Sequence, residues 1–188
     1  ISAYKTARML EKKGDIDGAI SIYEGILANN PSQSQSVQSL KMLFLNYQKY
    51  EKGIDFFRNR LTQYPNDFKN YSELGQLYYL NGKQKEAKSV WYNGLNKFKH
   101  NRSSYRIMVS MFGKHGLDED IGIILKIGKD TFGKQFLSYE AGAYYQNRRL
   151  YDKAMEQFIL HLIHESNQNG IVERRILQMS DEEEALKT

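Results

Sequence analysis

The chain has 188 residues, 40% of them apolar and 26% charged, with 13% aromatics and two prolines, which excludes a disordered chain. Its formal net charge is +5, but Asp181, Glu182, Glu183 and Glu184 cluster near the end, so the body is more basic than the total. The absence of cysteine excludes disulfides and thiolate metal sites and fits a cytoplasmic or an exported protein equally.

A membrane span is not expected. The most apolar run, Ile121 to Ile127, contains Lys126 and is far shorter than the roughly 20 residues that cross a bilayer. No dense Lys/Arg stripe marks a nucleic-acid surface. Because the chain starts at Ile1 rather than Met, it is expected to be trimmed or to be a piece of a longer protein.

In chain order, one pattern returns. Gly14, Ala19, Tyr23 and Leu27 are followed by Gln48, Gly53, Phe57 and Leu61, and then by Gly82, Ala87, Trp91 and Leu95, with a step of 34 between successive sets. Pro31 and Pro65 also lie 34 apart, and proline stops a helix. The third set is the clearest. Tyr71, Leu74, Gly75 and Tyr78 predict one amphipathic helix, and Ala87, Trp91 and Leu95 predict a second. Asn81-Gly82 between them favours the positive φ of a helix end. Small residues at Gly75 and Ala87 let the two helices cross closely, with Trp91 packed inside.

Further on, Tyr105, Met108, Phe112, Gly116, Ile121 and Leu125 continue the period of 34. Ala141-Gly142, Tyr145, Tyr151, Ala154 and Phe158 fit a fifth copy at 33, so the fourth copy is one residue short. After it, Ile171, Val172, Ile176 and Met179 predict another helix with one apolar side. Ser180 followed by Glu183 has the pattern of a capping box that starts a further short helix.

A helix-turn-helix of period 34 with Leu74-Gly75-Tyr78, Gly82, Ala87, Trp91, Pro65 and Pro31 resembles the tetratricopeptide repeat (TPR) family. The resemblance covers residues 1–168 as five repeats, about 1–33, 34–67, 68–101, 102–134 and 135–168. It implies an all-α, right-handed superhelical solenoid of antiparallel helix pairs. Residues 169–188 then cap the open apolar end or begin a truncated sixth repeat.

The residues carry no expected chemistry. His161 and His164 are three apart but have no zinc motif around them, and His161 falls at an inward position usually held by a small residue. No glycine-rich phosphate loop is present, and the carboxylate clusters read as surface charge. The expectation is a non-enzyme with no metal and no cofactor.

By the resemblance, ligands lie on the concave face, against first-helix positions that point away from the second helix. Those positions are Tyr4, Arg8 and Glu11, then Gln38, Met42 and Leu45, then Ser72, Gln76 and Tyr79. They continue with Arg106 and Ser110, then Tyr139, Ala143 and Gln146. Tyr and Met suit apolar contact, Gln and Ser suit backbone hydrogen bonds, and Arg suits carboxylates, a set matched to a peptide or helix of a partner protein.

By the resemblance, the clamp that holds chaperone C-termini in this family would need Lys and Asn where Tyr4 and Arg8 stand, Asn at Ser39, and Lys and Arg at Lys69 and Glu73. Only Lys69 agrees. A second reading is assembly. The fourth repeat's second helix is apolar on nearly every side, and outward-facing Ile123 and Ile127 there would join a homo-oligomer or scaffold. RNA binding is a third reading, weakened by the modest charge.

Overall fold

The structure is a computed structural model that describes residues 2–164 and 169–187, with side chains in the last stretch from 170 to 180. The described residues form eleven helices and no strand. In order they are α1 (Ala3–Lys13), α2 (Ile16–Asn29), α3 (Ser34–Asn46), α4 (Tyr50–Gln63), α5 (Phe68–Leu80), α6 (Gln84–Lys97), α7 (Arg102–Lys114), α8 (Asp118–Phe132), α9 (Ser138–Asn147), α10 (Tyr151–His164) and α11 (Asn169–Lys187). The chain falls into two compact units, Ile1–Gly94 and Leu95–Thr188. The second helices of the five pairs start at 16, 50, 84, 118 and 151, three steps of 34 and one of 33.

Each helix pair turns at one residue in the left-handed region. These are Gly14 (φ 82°), Gln48 (φ 52°), Gly82 (φ 77°), Gly116 (φ 67°) and Arg149 (φ 56°). That conformation lets the chain leave the first helix and satisfy its last carbonyls before the second helix begins. Gly82 N donates to Tyr79 O and Lys83 N to Tyr78 O. Two pairs reach the same geometry without glycine, at a backbone cost. Polar side chains cap the other ends: Asp67 accepts from Lys69 N and Asn101 from Ser103 N.

In the first unit a continuous apolar core runs through Ala7, Ala19, Tyr23, Leu40, Phe44, Ile54, Phe57, Leu74 and Leu77. Trp91 is fully buried, and its Nε1–H donates to the carbonyl of Ser72 at 3.1 Å. Gly75 makes room for it, since a β-carbon there would lie 2.2 Å from Trp91 Nε1. Burial of such a ring supplies a large share of a pair's stability.

In the second unit Tyr105, Met108, Phe112, Ile121, Leu125, Ala141 and Phe158 are buried. The residue missing from the fourth repeat is absorbed after α8. Gly133 (φ 102°) and Leu137 (φ 56°) bend the chain, and α9 has 10 residues where α7 has 13. Phe136 folds into this bend. It meets Tyr105 edge-on at 5.7 Å and Phe132 at 4.6 Å, with the Arg102 guanidinium 4.7 Å above its ring.

The end of the chain corrects one expectation. Residues 169–187 form a single helix, and Ser180 lies inside it rather than at a start. Its hydroxyl donates to Ile176 O at 3.4 Å, the bond a mid-helix serine makes to the preceding turn. Val172 and Met179 are buried against the unit, while Ile171 and Leu177 are exposed.

Candidate interaction surface

The first-helix positions divide by exposure. In the first unit, Arg8, Gln38 and Met42 are exposed, and Tyr4, Glu11, Leu45 and Tyr79 are half-buried. Ser72 and Gln76 are each only 1% exposed, so they offer no surface to a partner. Ser72 lies against the helix crossing, where its carbonyl receives the Trp91 N–H. Tyr79 leans on Trp91, its ring centroid 5.9 Å away. The tight approach that Gly75 allows is what draws this part of α5 inward.

The remaining positions gather around hollows. Arg8, Glu11 and Met42 line one of about 360 Å³, together with Lys12, Asn46 and Tyr47. Arg8 Nη1 donates to Glu11 Oε2 at 2.8 Å, and the Tyr23 hydroxyl donates to the other Glu11 oxygen. Tyr4 and Gln38 line a larger hollow of about 620 Å³ that also contains Val37, Phe57, Arg60 and Tyr64. Tyr4 and Ser39 hydroxyls are 3.3 Å apart at its wall, and Lys41 Nζ donates to Glu73 Oε1 at 2.7 Å.

In the second unit Arg106, Ser110, Tyr139 and Ala143 line a hollow of about 400 Å³ with Val109, Gly113 and Tyr144. Arg106 Nε donates to Glu140 Oε1 at 3.0 Å across α7 and α9. The Tyr144 hydroxyl donates to Asp118 and Arg148 Nη2 adds a bond to the same carboxylate, so Asp118 is held below the usual carboxylate range, the tyrosine first and the arginine second. Gln146 is already engaged. Arg175 of α11 donates to its Oε1 at 2.7 Å, and the same guanidinium lies 5.7 Å from the Tyr139 ring. Ile123 and Ile127 of α8 are 49% and 42% exposed. His161 is buried, with its Nδ1 3.4 Å from Ser138 Oγ and the Tyr139 ring 5.5 Å away. Among the described residues no cluster of His, Asp or Glu has metal-binding geometry and no helix is long and apolar enough to cross a membrane.

Sequence reasoning missed the large hollow of the first unit. Its signal lay in the register. One repeat back, Tyr71 falls on Val37 and Gly94 on Arg60. In α5–α6 the Tyr71 ring lies on Gly94, where a β-carbon would be 2.8 Å from Tyr71 Cβ. In α7–α8 Gly128 is covered by two rings, Phe136 at 2.8 Å and Tyr105 at 3.2 Å from the place of a β-carbon. In α9–α10 the pair becomes Ser138 and His161, in hydrogen-bond contact. A large residue on one helix is met by a small one on the other. Val37 with Arg60 keeps that rule only in part, because Arg60 is drawn away from Val37 to bond Pro31 O and to stack on Tyr64.

No family model and no curated protein sequence matches the chain. Among solved structures it is similar to TTC0263, a thermophilic TPR protein in Thermus thermophilus. The TM-score is 0.51 at 14% identity, over 94% of this chain and 96% of that one. It is also similar to the MamA protein, with a TM-score of 0.49 and 16% identity over 88% and 91% of the two chains. A third is YrrB, described as a TPR protein with an unusual peptide-binding site, with a TM-score of 0.45 and 13% identity over 95% and 90%.

Proposed function

From a tetratricopeptide-repeat-like, all-α fold, we infer that the chain is a non-enzymatic protein-interaction module whose first helices bind a peptide or helix of a partner protein. One observation carries this reading. Exposed side chains of mixed chemistry on the first helices line open hollows within each unit: Arg8 and Met42 in one, Arg106 and Ser110 in another. Peptide recognition needs this combination, with apolar contact for affinity and oriented polar groups for register.

The test is selection of binders from a displayed random-peptide library against the purified chain, followed by calorimetry on the selected sequences. Met42→Ala, Arg106→Glu or Arg8→Glu should weaken binding by about tenfold or more, with far-UV spectrum and melting temperature kept. If no sequence is enriched, or if affinity is the same in all three variants, the reading is wrong.

The exposure of Ile123 and Ile127 favours assembly as a second reading. Static light scattering should then show a mass that rises with concentration and returns to the monomer in Ile123→Lys. A constant monomer mass removes this reading.

A further inference from the structure

The hollow of about 620 Å³ in the first unit is where a ring is missing. In α5–α6 and α7–α8 the corresponding volume is filled from within, by Tyr71 over Gly94 and by Phe136 together with Tyr105 over Gly128. The Tyr71 hydroxyl donates to Pro65 O at 3.4 Å and the Tyr105 hydroxyl to Lys99 O at 3.2 Å. Pro65 and Lys99 are 34 apart, and the counterpart in α3–α4 is Pro31. There Val37 is too short to reach that carbonyl. Arg60 crosses from α4 instead, and its Nη1 donates to Pro31 O at 3.1 Å. A guanidinium arm is thinner than a phenol ring, so the space beside it stays open. Phe57, Tyr64, Val37 and Tyr4 form its apolar wall.

The chemistry of that wall selects what would enter. Arg60 Cζ already lies 5.0 Å from the Tyr64 ring and 5.9 Å from the Phe56 ring. A planar, weakly hydrated cation of this kind attracts further rings. Its Nε–H is buried without a hydrogen-bond partner, and so is Glu73 Oε2 on the far wall. Pro31 O has a second lone pair for an incoming hydroxyl. A ring with a polar edge meets all of these, as Tyr71 does one repeat later. An aliphatic side chain would fill part of the volume and leave the Arg60 Nε–H and Glu73 Oε2 unpaired.

We propose that this cavity is a receptor for an aromatic side chain of a partner segment, which enters between Val37 and Arg60 in the place that Tyr71 and Tyr105 take in the two pairs that follow. The proposal rests on the interaction-module reading and names the side chain that module reads.

The test uses the full chain, 15N-labelled, titrated with N-acetyl-tyrosinamide and, separately, with N-acetyl-leucinamide. The tyrosine probe should shift the amide signals of Val37, Arg60, Tyr64 and Asn70. The leucine probe should bind about tenfold more weakly or not at all. Two variants close the cavity. V37Y/R60G rebuilds the Tyr-over-Gly pair, and Val37→Phe fills the space by one substitution if the double variant does not fold. Either folded variant should abolish the shifts. Equal binding by tyrosine and leucine probes, shifts that persist in the filled variant, or no shifts in the native chain would each overturn the proposal. Library-selected peptides separate this result from failure of the parent reading. Peptides that bind but need no aromatic residue, and that ignore V37Y/R60G, sink the aromatic receptor and leave the interaction module standing.

Discussion

The pairs α3–α4 and α5–α6 share a register, one repeat apart, and fill the same space with opposite choices. In α5–α6 the bulk comes from two rings: Trp91 pressed against Gly75 and Tyr71 pressed against Gly94. In α3–α4 the residues at these four places are Phe57, Lys41, Val37 and Arg60. The ring is smaller, both glycines are replaced by long cations, and the Tyr is replaced by a Val. What decides the filling is where the side chains reach and not their summed size: Val37 with Arg60 is the bulkier pair, but Arg60 extends to Pro31 O and a hollow stays open beside it. In α5–α6 both rings lie across their glycines, and even polar positions such as Ser72 and Gln76 are out of solvent.

The largest effect should come from the ring that α5–α6 depends on. Trp91→Ala removes a fully buried side chain and orphans the Ser72 carbonyl, and should cost about 3–5 kcal/mol. In urea titration the midpoint should fall while the slope stays constant. Phe57→Ala should cost less than Trp91→Ala, because no hydrogen bond goes with it. If Phe57 proved the costlier, the contrast between the pairs would be misdrawn.

A swap of the second pair of residues sharpens the comparison further. Gly94→Arg alone drives a side chain into Tyr71, whose Cβ lies 2.8 Å from the site of the new β-carbon. It should destabilise by about 1–3 kcal/mol. In a Tyr71→Val background the same change should be neutral or stabilising, as the pair then repeats Val37 with Arg60. A double-mutant cycle by chemical denaturation should return a coupling of about 1–3 kcal/mol. Additive single effects would mean that the two positions do not share one volume.

Much of this was legible in the sequence, and for a physical reason. The helix starts and the buried places of Tyr23, Phe57, Trp91 and Phe158 follow from a period that only packing of like units imposes. The surface was less legible, because exposure depends on how close two helices come. Ser72 and Gln76 occupy outward positions by spacing, yet the narrow crossing at Gly75 buries them. Ser180 with Glu183 has the letters of a helix start, but the helix runs on through it. A cap needs the preceding residues to leave the helix, and nothing in this stretch makes them do so. The hollow beside Arg60 could have been seen by comparing positions in pairs, Val37 with Arg60 against Tyr71 with Gly94, and not one position at a time.

The aromatic place carries a third contrast, readable by pH. Where α3–α4 has Phe57 and α5–α6 has Trp91, the first pair buries Tyr23, whose hydroxyl donates to Glu11. Burial first, and the Glu11 carboxylate second, push this phenol up to about 12. Tyr144 beside Asp118 is also pushed up to about 12. A phenol that keeps its proton better folded than unfolded adds stability in full below its ordinary value near 10. That contribution drains away as pH climbs through about 10 to about 12. Burial raises Tyr105 and Tyr145 as well, so absorbance at 295 nm should show a late phase of phenol ionisation close to unfolding. Tyr23→Phe should remove one phenol from that late phase and leave the rest. The absence of any late phase would contradict the buried contact.

The turns give the smallest effect and the finest version of the comparison. Gly82 and Gln48 hold the same left-handed backbone, φ 77° and 52°, at the same place between their helices. A side chain in this region costs about 1–2 kcal/mol against its neighbouring carbonyl, and glycine avoids that cost but gives up more freedom on folding. Gln48→Gly should therefore stabilise the chain modestly, by under ~1 kcal/mol, because the two terms oppose each other. Gly82→Gln should destabilise by about 1 kcal/mol for the same reason in reverse. No heavy atom lies within 4 Å of the place where a β-carbon at Gly82 would sit, so the loss comes from the backbone and not from a clash. Placing both changes in one chain exchanges the turns of α3–α4 and α5–α6 without touching either core. Its melting temperature should lie between those of the two single variants, and near that of the native chain. If the exchange costs several kcal/mol, the two turns are not equivalent, and the repeat register would not extend from the core to the loops.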